Sequence, residues 1–383
     1  MRIQVRIPKV KADVYPEIQV CPYEGCGGEH FKAHGQRAET KPIRDLNVQA
    51  VESYRYECLK CGRTFRVYPA GVSRAQHSDA LKAISVLLYV LGLSYGAVAD
   101  FLEALGQALG KSTVYRNVQE AGFVSRQRQR QTVETGQRRA VIGTDGTYVK
   151  VKGVKVGIQV VVDDGTDDLL GLDLIVSERA EEVIDLVRDI ASQVEAEVLV
   201  TDDLDSYKDV ADEVDLDHQI CRSHVKRNVD ELAQSLHDQL KQREPMPDGV
   251  KSSPEQLDLD LQTLQRLVRE RPADALEHLE QLYRRYQAAP PPTRKGQRHS
   301  VWYRMRMLVT RLWERWHRLT LDQRRADLDG TNNSSERVIG WWIKERYRTM
   351  RGYKRTESIK NVVTLTARMG ARSGRYDMAE LYQ

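Results

Sequence analysis

Three acids far apart in the chain, Asp145, Asp202 and Glu336, and two close pairs of cysteines are the residues whose types and spacing could do chemistry. Asp145 stands in VIGTDGTYVKV and Asp202 in EVLVTDDLDSY, each closing a run of β-branched apolar residues that reads as a strand. Glu336 stands in TNNSSERVIGWWIKERYR, where a helical pattern begins. Carboxylates gathered from such distances suit two Mg²⁺ (or Mn²⁺) ions about 3.5–4 Å apart, one activating an attacking oxygen and the other steadying a leaving oxygen. Cys21 and Cys26 form one pair, Cys58 and Cys61 the other, with 31 residues between them. Four thiolates suit a tetrahedral Zn²⁺, and with four protein ligands the ion is structural. His30 and His34 are spare donors that a full cysteine set does not need. The fifth cysteine, Cys221, precedes His224 by three residues. Two ligands cannot close a zinc site, so packing or substrate contact is expected of this pair, and a zinc hydrolase built on it lacks a third ligand.

These residues need elements to hold them. Residues 1–75 read as a β-rich zinc ribbon. Residues 76–124 read as three helices, with Ser94 capping the second and Ser112 the third. The third, STVYRNVQEAG, has the make-up of a recognition helix: Ser112 and Thr113 suit phosphates, while Tyr115, Arg116 and Asn117 suit base edges or the backbone. A plain three-helix bundle would show the same pattern. Residues 125–139, SRQRQRQTVETGQRR, read as a basic linker that touches DNA or stays mobile. From residue 140 the order strand-strand-strand-helix-strand-helix-strand predicts an α/β fold with an RNase H-like mixed sheet: a meander extended by crossover helices. Its first part spans 140–221, an all-α insertion follows at 222–329, and 330–383 completes it with the Glu336 helix and a basic arm. Within the insertion, Trp302, Met305, Leu308, Leu312 and Trp316 share a helical face and read as core. Asp163 and Asp164 read as turn residues, and Asp203 and Asp205, the neighbours of Asp202, as helix caps.

Charge is unevenly spread over the 383 residues. Thr331 to Arg375 holds eleven Lys or Arg against three acids, whereas Glu195 to Asp217 holds ten acids and one Lys. A basic arm beside an acidic centre suits a polyanion held next to a carboxylate metal site, although two solvated faces of opposite sign would look alike. No run approaches the roughly 18 apolar residues of a membrane span, and the N-terminus lacks a secretory pattern, so a cytoplasmic, nucleoid-associated protein without membrane contact is expected.

GTDGTYVKV, VTDDLDSY, the Cys221-Arg-Ser-His224 segment and DGTNNSSERVIGWWIKERYRTMRGYK resemble the motifs of bacterial and archaeal insertion-sequence DDE transposases, in particular the Mutator-like group with a helical insertion. The resemblance covers most of residues 140–370. It implies Asp145, Asp202 and Glu336 as catalytic metal ligands, Asp202 being preferred to Asp203 because Tyr207 then follows five residues on. It implies a transposase that binds double-stranded DNA at terminal inverted repeats, cleaves and joins it with Mg²⁺, and acts as a dimer or larger assembly. Asn332 and Asn333 are expected to contact DNA or cap the Glu336 helix. Arg337, Lys344, Arg346, Arg348, Arg351 and Lys354 are expected to track phosphates. The rivals are a catalytically silent, domesticated transposase acting as a DNA-binding regulator, and another RNase H-like nuclease.

Overall fold

In the computed structural model, residues 3–35, 38–241, 244–294, 296–350, 352–370 and 375–382 are described. The first seventy residues bury few large apolar side chains, chiefly Ile43, Val51 and Val67, and fold as short strands around the cysteines. These are β1 (Val5–Arg6), β2 (Phe31–Ala33), β3 (Glu39–Pro42), β4 (Ala50–Cys58) and β5 (Thr64–Val67), with β4 antiparallel to β2, β3 and β5.

Three helices follow: α1 (Asp79–Val90), α2 (Tyr95–Ala104) and α3 (Lys111–Glu134). Ser78 and Ser94 cap the first two by accepting the N–H groups of Leu81 and Ala97. At α3 the expectation fails, because Gly110 and not Ser112 takes the cap position. Nor does α3 stop near residue 122. It continues through most of the stretch expected as a linker, whose Ser125, Gln129 and Val133 extend the buried face begun by Val114, Val118 and Ala121. Gly122 lets α3 lie against the chain at Asn361, where a Cβ would come within 2.7 Å of a backbone oxygen. Arg126 donates to Glu357 and Asn361, and Gln129 to the Leu169 carbonyl. These side chains therefore serve packing.

The expected meander is present as β6 (Val141–Val151), β7 (Val154–Asp163) and β8 (Leu169–Ile175). Then α4 (Ala180–Val194) leads to β9 (Val198–Thr201), and α5 (Asp205–Glu213) to β10 (Asp217–Ile220). The sheet order is β10-β9-β6-β7-β8, antiparallel within the meander and parallel from β6 to β9 to β10. Val183, Val187 and Ile190 of α4 and Tyr207 and Val210 of α5 share a core with Ile142, Val161 and Leu199 of the sheet.

Four helices then build a separate core: α6 (Arg222–Leu240), α7 (Pro254–Glu270), α8 (Ala275–Tyr286) and α9 (Val301–Leu319). The stripe from Trp302 to Trp316 is buried there, as its spacing predicts. The basic C-terminal helix is not one regular helix. α10 (Asn333–Val338) passes into a π-helical turn at Ile339–Lys344 and then α11 (Glu345–Arg348), before α12 (Thr356–Gly370). α12, the π-helical turn, α1–α3 and the sheet residues Val149, Ile158 and Val160 share one hydrophobic core, so the three N-terminal helices are anchored to the sheet. A last strand, β11 (Tyr376–Asp377), pairs with β1.

Candidate metal and nucleic-acid site

Parallel pairing brings two of the acids side by side. Gly143 of β6 lies opposite Val200 of β9 in the register. Asp145 stands two residues further along β6, and Asp202 two residues past Val200, just beyond the end of β9 where the chain turns towards α5. Asp145 does not end β6, which continues to Val151 by pairing with β7. It accepts the Gly146 N–H at 2.7 Å. Burial, and then the Asp202 carboxylate beside it, push Asp145 up to about 7. Burial also raises Asp202, whose Oδ1 accepts the Leu204 N–H at 3.0 Å. Two buried carboxylates raised in this way are an electrostatic debt that a divalent cation would cancel, and hard oxygen donors are the right set for Mg²⁺ or Mn²⁺.

The third acid reaches the same strand through its helix. Asn332 is fully buried and donates to the Thr144 carbonyl at 3.2 Å. Ser335 Oγ and Asn332 Oδ1 press on Gly143, where a Cβ would meet them at 2.7 and 3.2 Å. Ser334 Oγ donates to the Asp164 carbonyl, and Arg337 forks onto Asp167. Glu336, exposed on this pinned helix, has Oε1 3.4 Å from His224 Nε2. His224 rises in pKa through Cys221 first, then Glu336 and Asp202. It is also near enough to Asp145 and Asp202 to offset part of the rise in both. The structure thus brings Glu336 to His224 and His224 to the two aspartates. Among the described residues, only the four cysteines have donor atoms all within 4.8 Å of one another, so the acids stand around His224 without closing to that distance. Cys221 is buried at the start of α6 and donates its N–H to the Thr201 carbonyl, which ties His224 to the strand that carries Asp202.

Asp203 does not cap a helix. It is 8 % exposed and is the hub of an ion-pair cluster that bolts α9 to the sheet: Arg315 lies 3.0 Å from it, Arg311 3.2 Å, and Asn228 donates to it at 3.0 Å. Arg318, one turn on, reaches Asp212 and the Nδ1 of buried His218. Burial and Arg318 hold His218 down at about 3, so it stays neutral. Asp203 is committed to two guanidinium groups, which leaves Asp202 as the free acid of the pair. Asp203→Ala is expected to cost about 3 kcal/mol in a urea titration, because Arg315, whose side chain is 13 % exposed, loses its buried partner and keeps only the exposed Asp205 carboxylate. Asp205→Ala, at a carboxylate whose side chain is 76 % exposed, should cost under about 1 kcal/mol. Equal losses would refute the hub.

The residues expected to contact DNA divide into two groups. Ser112, Arg116, Asn333, Lys344, Arg348 and Lys354 are exposed, and Thr113 and Tyr115 are half-buried, Tyr115 standing edge-on to Tyr95. Asn117, Asn332 and Arg346 are buried with partners inside the protein, which turns them away from DNA, and Asn332 takes the other place expected of it, the N-cap position of α10. Asn117 donates to Ser85. Arg346, 4 % exposed, stacks 4.1 Å over the Tyr89 ring and donates to Thr349. Arg337 is occupied by Asp167, so it fixes the Glu336 helix. Arg351 lies outside the described residues.

Apart from this site, the four ribbon cysteines converge. Cys21 Sγ lies 3.9 Å from Cys61 Sγ, and Cys26 Sγ 3.7 Å from Cys58 Sγ. A tetrahedral ion about 2.3 Å from each sulfur sets them about 3.8 Å apart, so the cluster fits a structural zinc. Gly28 leaves room for it: a Cβ there would meet Cys58 Sγ at 2.7 Å. His34 pairs with Glu57 at 3.3 Å and is no ligand.

Sequence reasoning left the role of His224 open. Glu178 follows β8 and packs over Gly146, where a Cβ would come within 2.7 Å of its Cδ, on the face of β6 opposite the Asp145 side chain.

Among the described residues no helix is long and apolar enough to cross a membrane. No curated protein matches the chain. Residues 74–349 match the family model described as Transposase IS66 family. That match spans well over half of the chain and runs from α1 through α11, taking in all three acids. A transposase family implies DNA as the partner in general, and the chain belongs to the IS66 family of transposases.

Proposed function

We propose that the chain is a DDE transposase with an RNase H-like core, which binds the terminal inverted repeats of its element and catalyses Mg²⁺-dependent phosphodiester hydrolysis and strand transfer. The observation that carries this reading is the adjacency of Asp145 and Asp202 on neighbouring parallel strands, with the Glu336 helix pinned to the same strand at Thr144. Asp145, Asp202 and Glu336 would hold two Mg²⁺ ions. When bound, the ions would activate water or a 3′-hydroxyl and steady the leaving oxygen. Cys221 positions His224, and His224 holds the Glu336 carboxylate on the side of the two aspartates. The sheet order β10-β9-β6-β7-β8 supports the RNase H-like core.

Residues 1–75 form the zinc ribbon. Helices α1 to α3 act as a helix-turn-helix unit that presents Ser112, Thr113, Tyr115 and Arg116 to DNA, with the later turns of α3 kept for docking. Residues 140–221 and 330–383 are the two parts of the core, and 222–329 the insertion. Asn333, Lys344, Arg348 and Lys354 supply an exposed polar and basic track beside Glu336. Two DNA ends must be paired, so the active complex is at least a dimer, at work on the nucleoid.

The test uses the purified, zinc-loaded chain and linear DNA ending in the element's inverted repeats. Cleavage and joined products with Mg²⁺ are expected. Binding without cutting in Mg²⁺ or Mn²⁺ would replace this reading with a DNA-binding regulator. Nicks without joined products would replace it with a nuclease.

A further inference from the structure

The ribbon and the three helices meet at residues 73–78, and this joint gathers positive charge that the fold does not neutralise. Arg44, just past β3, forms a parallel bridge with His77: its N–H donates to the Gln76 carbonyl at 2.7 Å, and its carbonyl accepts the Ser78 N–H at 3.0 Å. The Arg44 guanidinium crosses to the Ala108 carbonyl, two residues before Gly110, the N-cap of α3. Lys41 of β3 donates to the carbonyls of Ser73 and Ala75. Asp45 accepts the Ser78 hydroxyl, and Ser78 caps α1. The ribbon is thereby fixed to the start of α1 and to the turn that leads into α3. Residues 41–45, 73–82 and 108–116 together hold six Lys or Arg and two acids. Both acids are used inside the joint: Asp45 also accepts the N–H groups of Asn47 and Val48, and Asp79 pairs with Lys82 at 2.9 Å. Arg74, Lys111 and Arg116 are exposed, and among the described residues none of them has an ion-pair partner. Half-buried His77 lies among these cations: after burial itself, Arg44, Lys82 and Arg116 hold its pKa down. Like charges gathered in this way cost stability until an anion arrives.

We propose that the Arg44 edge of the ribbon, the 73–78 segment and the start of α3 form one face for double-stranded DNA, on which Arg74 and Lys111 grip backbone phosphates beside the bases read by Arg116. The proposal rests on the reading of α3 as a recognition helix and extends it to the ribbon. Charge argues for the occupant: guanidinium and ammonium groups without carboxylate partners match the repeating phosphates of a duplex. Arg44 serves the face from beneath, because its bond to Ala108 sets the ribbon against α3. The zinc knuckle of Cys58 and Cys61 stands at the other end of β4, since Pro42 pairs with Ala50 and Cys58 closes the strand. Lys60, on that knuckle, is therefore a ribbon cation away from the face.

The experiment follows binding of the zinc-loaded full chain to a duplex carrying the element's terminal repeat and to an unrelated duplex, by fluorescence anisotropy over a range of KCl, without added Mg²⁺. Arg74→Ala and Lys111→Ala should each weaken both duplexes alike. Each should also flatten the plot of log affinity against log salt by about 1, the share of one phosphate contact. Arg116→Ala should weaken the terminal repeat more than the unrelated duplex. Lys60→Ala should leave slope and affinity as in wild type. Since these side chains are exposed, zinc content and melting temperature should not change in any variant. An unchanged slope in Arg74→Ala, with selectivity lost in Arg116→Ala, would overturn the composite face and leave the recognition helix standing. An equal flattening in Lys60→Ala would reduce the effect to net charge and overturn the face as well. Unchanged selectivity in Arg116→Ala would overturn the recognition-helix reading itself.

Discussion

Asp145→Asn is expected to abolish metal-dependent strand cleavage and, in the same protein, to make the magnesium-free fold more stable. The loss should be roughly 10³-fold or more, since a ligand that helps stabilise developing charge is worth several kcal/mol at the transition state. The gain in stability follows from the raised pKa. Burial and Asp202 lift Asp145 from 3.8 to about 7 in the folded chain. A group raised on folding contributes its full stability below its unfolded pKa, near 4, and loses that contribution as pH climbs through about 7. Above that point the wild type carries an uncompensated charge worth on the order of 2–4 kcal/mol, which asparagine does not carry. Urea titrations without Mg²⁺ should therefore favour the Asp145→Asn variant over wild type at pH 8 and show little difference at pH 4. Added Mg²⁺ should close the gap near a hundredfold excess over Kd and reverse the ranking near a thousandfold, because only the wild type gains the binding term, about 2.7 and then about 4.1 kcal/mol. A variant that cuts DNA normally, or gains nothing at pH 8, would remove Asp145 from the site.

The readable parts of this chain were those in which one local pattern decides the outcome. Cysteine spacing was enough for the ribbon cluster, because two short loops sharing one ion leave little freedom. Alternating β-branched residues gave the strands, and the order of strands and helices gave the path to Asp145 and Asp202. What was misread depended on partners remote in sequence. The basic stretch 125–139 resembles a mobile linker until Leu169, Glu357 and Asn361 are set beside it. Asn117, Asn332 and Arg346 have the chemistry of nucleic-acid contacts. Their hydrogen bonds to Ser85, Thr144 and Thr349 turn that chemistry inward. Asp203 differs from Asp202 by a single position, and only the fold shows that α9 delivers two arginines to it.

Cys58→Ser is expected to release the zinc and melt β2 to β5 while leaving β6 to β10 and α6 to α9 folded. The asymmetry follows from what each part buries. The ribbon's interior is little more than Ile43, Val51, Val67 and the cysteines themselves, whereas the sheet and the insertion have continuous apolar cores. A small fold of this kind draws its stability from the metal, for which structural zinc supplies about 10–16 kcal/mol in isolated fingers. Cys58 sits where that dependence is strongest. It is fully buried at the end of β4, and the N–H groups of Cys61 and Lys60 hold its thiol down at about 7, close to the thiolate that zinc requires. Serine keeps the size and loses the soft donor. Cys221→Ser is the control, since that thiol stands apart from the cluster beside His224. One zinc per chain should persist in Cys221→Ser and vanish in Cys58→Ser, with amide-exchange protection lost only across residues 20–67. Binding to the element's ends should fall with the ribbon, while Mn²⁺ affinity at the distant carboxylates stays as in wild type. Intact protection of β4 in a zinc-free chain would mean that the strands stand without the ion.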